Sequence, residues 1–126
     1  MKALIVDDSL VVRTIIENAV KPMGYETLQA ANGLEGLQLL AKHANTIQLV
    51  LLDWNMPVLD GFETIKKIKA DYGYDHICII MISTESEDEK VDQALAAGAN
   101  GYLAKPFAAE ELAEKIRTTL AKFNSN

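Results

Sequence analysis

Four places along this chain put a chemically capable side chain just past an apolar run. Ala3-Leu4-Ile5-Val6 stops at Asp7-Asp8, and Ile47-Gln48-Leu49-Val50-Leu51-Leu52 stops at Asp53. The run from Ile77 to Ile82 stops at Ser83-Thr84, and the short segment Gly101-Tyr102-Leu103-Ala104 stops at Lys105-Pro106. Three carboxylates, a hydroxyl and an ammonium, if gathered, suit a metal ion and a phosphoryl group. Two carboxylates 4 Å apart repel by about 4 kcal/mol at an effective dielectric of 20. Without a cation, one of them should hold its proton more tightly. A hard divalent ion relieves that repulsion, and Mg2+ suits one or two carboxylates completed by phosphate oxygens and water.

Each residue also has a plainer reading. Asp8 or Ser9 could simply cap the first helix, and Asp53 could simply end a strand. Ser83 and Thr84 precede the acidic stretch Glu85-Ser86-Glu87-Asp88-Glu89, so both suit the start of a helix. That stretch itself reads as a solvated helix N-terminus. Lys105 could be an ordinary surface lysine and Tyr102 a half-buried aromatic on an edge strand. His43 and His76 have no spaced ligand partners and read as surface residues. The plain readings work one at a time and fail to explain why the acids recur at strand ends.

The elements that would gather these groups follow from periodicity. Strands are expected at roughly residues 3–7, 25–30, 47–52, 77–82 and 100–104, taken from the apolar runs. Helical spacing fills the gaps. Val12, Ile16, Ala19 and Met23 share one face, as do Leu34, Leu37 and Leu40, and then Phe62, Ile65 and Ile68. Val91 with Leu95, and Leu112-Ile116-Leu120, repeat the spacing. Gly24 and Gly98 stand where helices should stop. Ser9, Asn32 and Ser86 are candidate N-caps, Ser86 standing three before Glu89 as a capping box requires.

Alternating strands and helices imply an α/β fold, a doubly wound five-stranded parallel sheet with five helices on its two faces. The first, third and fourth strands are nearly all apolar, as expected where both faces are covered. The second alternates, and the fifth is short and carries glycine and tyrosine, so those two belong at the edges. The order 2-1-3-4-5, one of the common windings of such a sheet, satisfies this with right-handed crossovers. Its switch point lies between strands 1 and 3, which brings Asp7, Asp8 and Asp53 to the crevice where ligands bind.

Bulk properties narrow the class. At 126 residues the chain reads as a single domain over residues 1–126, with Asn124-Ser125-Asn126 as a frayed tail. A net charge of −6 argues against general binding to nucleic acid or anionic membrane, since both need a basic surface. The one cysteine, Cys78, excludes an internal disulfide, and no apolar run is long enough to span a bilayer. A cytoplasmic location is expected.

Taken in order, these segments resemble the receiver domains of two-component response regulators. The resemblance rests on Val6-Asp7-Asp8-Ser9 with Arg13, on Leu52-Asp53-Trp54-Asn55-Met56-Pro57 with Asp60-Gly61, on Ser83-Thr84-Glu85, and on Gly101-Tyr102-Leu103-Ala104-Lys105-Pro106-Phe107. It is strongest toward the single-domain chemotaxis members of that family and implies their flavodoxin-like sheet.

By that resemblance Asp53 is the phosphoacceptor. Asp8, Asp53 and the backbone carbonyl of Asn55 would hold Mg2+, with Asp7 acting through water. Ser83 and Lys105 would contact the phosphoryl group, the Lys105-Pro106 peptide would be cis, and Tyr102 would move inward with Ser83. Asn55 and Glu85 would tune hydrolysis, and Thr84, where many receivers carry alanine, would add bulk near Asp53. The implied partners are a histidine kinase as phosphodonor and a protein target. The target would read the face formed by the fourth helix, fifth strand and fifth helix, and a flagellar motor switch protein is one candidate. Such a protein would catalyse only its own phosphorylation and dephosphorylation. The alternative on the same site is a phosphorelay intermediate that passes its phosphate to a histidine phosphotransfer protein.

Overall fold

The computed structural model describes residues 1–125, and for Tyr72 the backbone only. Strands and helices alternate as β1 (Lys2–Val6), α1 (Leu10–Val20), β2 (Glu26–Ala30), α2 (Gly33–His43), β3 (Ile47–Leu52), α3 (Gly61–Lys69), β4 (Cys78–Ser83), α4 (Asp88–Ala97), β5 (Gly101–Ala104) and α5 (Ala109–Asn124). The strands form one parallel sheet in the order β2-β1-β3-β4-β5, as expected from the sequence.

Period-two alternation divides the core between the two sheet faces. Leu4, Val6, Val50, Leu52, Ile79 and Met81 pack with Leu40, Ile65, Ile68 and Ala94 of α2, α3 and α4. Ala3, Ile5, Leu49, Leu51, Cys78 and Ile80 pack with Ile16, Val20, Leu112 and Ile116 of α1 and α5. The central leucines and isoleucines are fully buried, each worth about 1.5–3 kcal/mol relative to exposure. No helix of the described residues is long and apolar enough to cross a membrane.

Helix starts follow side-chain chemistry. Ser9 accepts from the Val12 amide, Asn32 from Glu35 and Asp60 from Glu63, each satisfying a donor that the first turn leaves free. Ser86 does not cap α4. That helix begins at Asp88 behind Glu87, without a side-chain cap, because the chain bends at Thr84, where the Ser83 hydroxyl takes the Glu85 amide. Gly98 closes α4 at φ of 122°, and Gly24, at φ of 97°, closes the short 3-10 turn Lys21–Met23 that follows α1, both in a region open to glycine.

Two expected core positions are exposed. Leu34 faces solvent because α2 turns Gly36 to Val6 of the sheet and Gly33 to Leu59 and Thr64, and Leu95 does so because Ala94 takes the buried position of α4. Of the expected frayed tail, Asn124 is the last residue of α5, Ser125 closes that helix, and Asn126 lies outside the described residues.

Candidate functional site

Backbone hydrogen bonds carry the sheet one residue beyond its strands and fix the candidate side chains there. The Asp7 amide donates to the Ala30 carbonyl, the Asp53 amide to Val6 and the Lys105 amide to Ser83. Asp7, Asp53 and Lys105 therefore emerge on one edge, at the C-terminal ends of β1, β3 and β5. Ser83, the last residue of β4, sits on the same edge and is fully buried.

One carboxylate oxygen each from Asp7, Asp8 and Asp53 lie within 4.8 Å of one another. Asp7 and Asp53 are buried and Asp8 is exposed, so the cluster opens to solvent on the Asp8 side. Lys105 Nζ lies 2.7 Å from Asp7 Oδ2 and 3.4 Å from Asp53 Oδ2. The second oxygens are held by the backbone: Ser9 N donates to Asp7 Oδ1 at 2.9 Å and Trp54 N to Asp53 Oδ1 at 2.8 Å. Burial pushes the Asp53 carboxyl above its ordinary range. Lys105 opposes that shift, the Asp7 charge adds to it, and the Trp54 amide opposes it. Three converging anionic oxygens, one of them reluctant to ionise, form a donor set that fits a small hard divalent cation.

The rim is built from the two neighbouring loops. Asn55 Nδ2 donates to Glu85 Oε1 at 3.2 Å, joining the loop after β3 to the loop after β4. Tyr102 is half-buried and turned inward, its hydroxyl donating to the Glu85 carbonyl and its pKa raised by burial. Thr84 is exposed and lines a shallow apolar hollow with Val12, Ile15 and Phe107, beside Lys105. The Lys105–Pro106 peptide is cis.

The sequence did not single out several supports. Trp54, next to Asp53, stacks on Phe62 with centroids 5.4 Å apart and planes 5° from parallel, and Lys90 of α4 lies 5.0 Å from the indole centroid. A β-carbon on Gly61 would stand 2.0 Å from the Asp53 carbonyl oxygen, so only glycine lets α3 start against that strand end. Arg13 Nη1 donates to the Asp7 carbonyl at 2.6 Å. The glycine had a signal in Asp60-Gly61. Arg13, part of the motif around Asp7-Asp8, gave no sign of its acceptor, and the contact of Lys90 with Trp54 joins elements distant in sequence and left none.

A model of the response regulator receiver domain matches residues 3–117. This chain belongs to the response regulator receiver domain family. Among proteins with assigned roles it is similar to the chemotaxis protein CheY1 of Helicobacter pylori, 43% identical over 121 residues, covering 95% of this chain and 97% of that one. Among solved structures it is similar to Vibrio cholerae CheY4, with TM-score 0.86, 36% identity and coverage of 94% and 97%. It is also similar to a chain of the Borrelia burgdorferi CheX-CheY-BeF3-Mg2+ complex, with TM-score 0.88, 25% identity and coverage of 95% and 89%. Receivers and CheY-named chemotaxis proteins are thus this chain's relatives along nearly its whole length.

Proposed function

We propose that this receiver is a chemotaxis-type binding switch, phosphorylated on Asp53 by a histidine kinase and read by a protein target. The observation that carries this reading is the position of Lys105, within 3.4 Å of both buried acids that flank the expected phosphoryl position. The chemotaxis assignment draws on the CheY-named relatives.

Asp8, Asp53 and the Asn55 carbonyl, with Asp7 through water, would hold Mg2+, which when bound offsets charge on the phosphoryl oxygens. Asp53 attacks as a carboxylate: its oxygen bonds to phosphorus while the donor's P–N bond breaks, and the imidazole departs with the electron pair and takes up a proton. Phosphoryl transfer depends on placement and neutralised charge, so Lys105 contributes by pairing with an oxygen of the transferred group. The Ser83 hydroxyl donates to another.

Drawing Ser83 and Lys105 toward the new charge tightens the loop after β4, where the Tyr102 hydroxyl already grips Glu85. That biases the surface of α4, β5 and α5, and the output is a change in affinity for the target. The protein acts on no other substrate. The test is transfer from a histidine kinase preloaded with labelled phosphate. Label should pass to the parent chain with Mg2+ present and not to Asp53→Asn. Equal transfer to both would refute the assignment.

A further inference from the structure

The Asp8 carboxylate takes no hydrogen bond or ion pair among the described residues, so its direction depends on its backbone. That backbone is clamped from two sides. The Asp7 amide is tied to Ala30 of β2, and the Asp7 carbonyl, in the peptide that leads into Asp8, receives Arg13 Nη1 at 2.6 Å. Arg13 is itself aimed: its Nε donates to Gln29 Oε1 at 3.0 Å, and Gln29 Nε2 donates to Glu17 Oε2 at 3.1 Å. Thr27 donates to the same Glu17 oxygen, and Lys21 lies 3.4 Å from the other. A half-buried polar chain from α1 and the edge strand β2 thus ends on the peptide that presents the exposed acid of the cluster.

We propose that Arg13, aimed by Gln29, is a positioning residue that holds the Asp7–Asp8 peptide so that Asp8 faces Asp53, and thereby sets the affinity of the acidic site for a divalent cation. The guanidinium suits this task because one planar group reaches two acceptors in fixed directions, which an ammonium cannot copy. The inference rests on the metal-binding reading of the site given above.

The sign of the effect separates positioning from plain electrostatics. Removing a cation near an acidic cluster strengthens Mg2+ binding by Coulomb's law, whereas loosening a carboxylate that should ligate weakens it. Losing groups that orient metal ligands costs on the order of tenfold or more in affinity.

The experiment is calorimetric titration of the 126-residue chain with Mg2+ alone, paired with melting in metal-free buffer. Arg13→Met should weaken Mg2+ about tenfold, and Arg13→Lys should recover only part of the loss. Gln29→Leu, which keeps the arginine charge, should weaken binding in the same direction, with little added by combining it with Arg13→Met. A lower melting temperature with unchanged or tighter Mg2+ binding in Arg13→Met overturns the proposal. If that variant fails to fold, unchanged affinity in Gln29→Leu does the same. A parent that does not bind Mg2+ removes the reading of the site itself, while a normal parent with unaffected variants removes this inference alone.

Discussion

Lys105 makes its shorter ion pair with Asp7, at 2.7 Å, and its longer one with Asp53, at 3.4 Å. The ammonium therefore stands on the acid that is not the expected acceptor, close enough to move to a new anion on Asp53. It also offsets the repulsion between two buried carboxylates.

Truncating that lysine leaves two desolvated acids without their cation. Lys105→Ala should lower stability by about 2 kcal/mol in metal-free buffer, less than for a fully buried pair because Lys105 is partly exposed. Mg2+ should still bind and restore part of the loss. Phosphorylation of the variant should leave target affinity unchanged. Denaturant titration with and without Mg2+, and binding of the target with and without phosphodonor, check the three parts.

The proton affinity of Asp53 sets a pH dependence. Its carboxyl stands above the ordinary range in the folded state, chiefly through burial, so the folded chain holds that proton more tightly than the unfolded chain. The charged form then costs stability at neutral pH, and the cost fades as pH falls through the folded value toward the unfolded one. In metal-free buffer Asp53→Asn should melt a few degrees higher than the parent at about pH 7, with the gain shrinking toward about pH 4. A constant difference across that range would contradict the burial argument.

Gly61 is a steric condition for the site. An alanine β-carbon would meet the Asp53 carbonyl oxygen at 2.0 Å and the Trp54 Cα at 2.9 Å, both backbone atoms that cannot swing aside. Gly61→Ala should cost about 2–3 kcal/mol, within the range of disruptive single substitutions, and slow labelling by acetyl phosphate. Urea midpoints and initial labelling rates measure both.

Val58 stores strain. It has a φ of 70° in a turn where the Leu59 amide donates to the Pro57 carbonyl, and its side chain is 74% exposed. A β-branched residue is costly in that region and gains little from burial here. Val58→Asn should raise stability by about 0.5–1 kcal/mol. A lower urea midpoint would show that the valine makes a compensating contact.

The sheet order and the acids at its edge were legible because buried strands leave apolar runs, and each run ended on a polar residue. The faces of α2 and α4 were less so. Leu34 and Leu95 fit helical spacing, yet Gly33, Gly36 and Ala94 pack inward, since a close helix approach favours small residues over large ones. Ser86 matched a capping pattern three residues before Glu89, but the Ser83 hydroxyl already accepts the Glu85 amide and sets the turn. Arg13 on Gln29 and Lys90 over Trp54 join elements through space, so no local spacing announced them.

On the proposed function, Asp53 accepts phosphate only with a metal bound. The decisive test is to treat the chain with acetyl phosphate and Mg2+, reduce any acyl phosphate with borohydride, and sequence the peptides by mass spectrometry. Conversion should occur at Asp53 alone and vanish when a chelator removes the metal. Conversion at Asp7 or Asp8 instead, or an Asp53 signal that persists in chelator, would contradict the account.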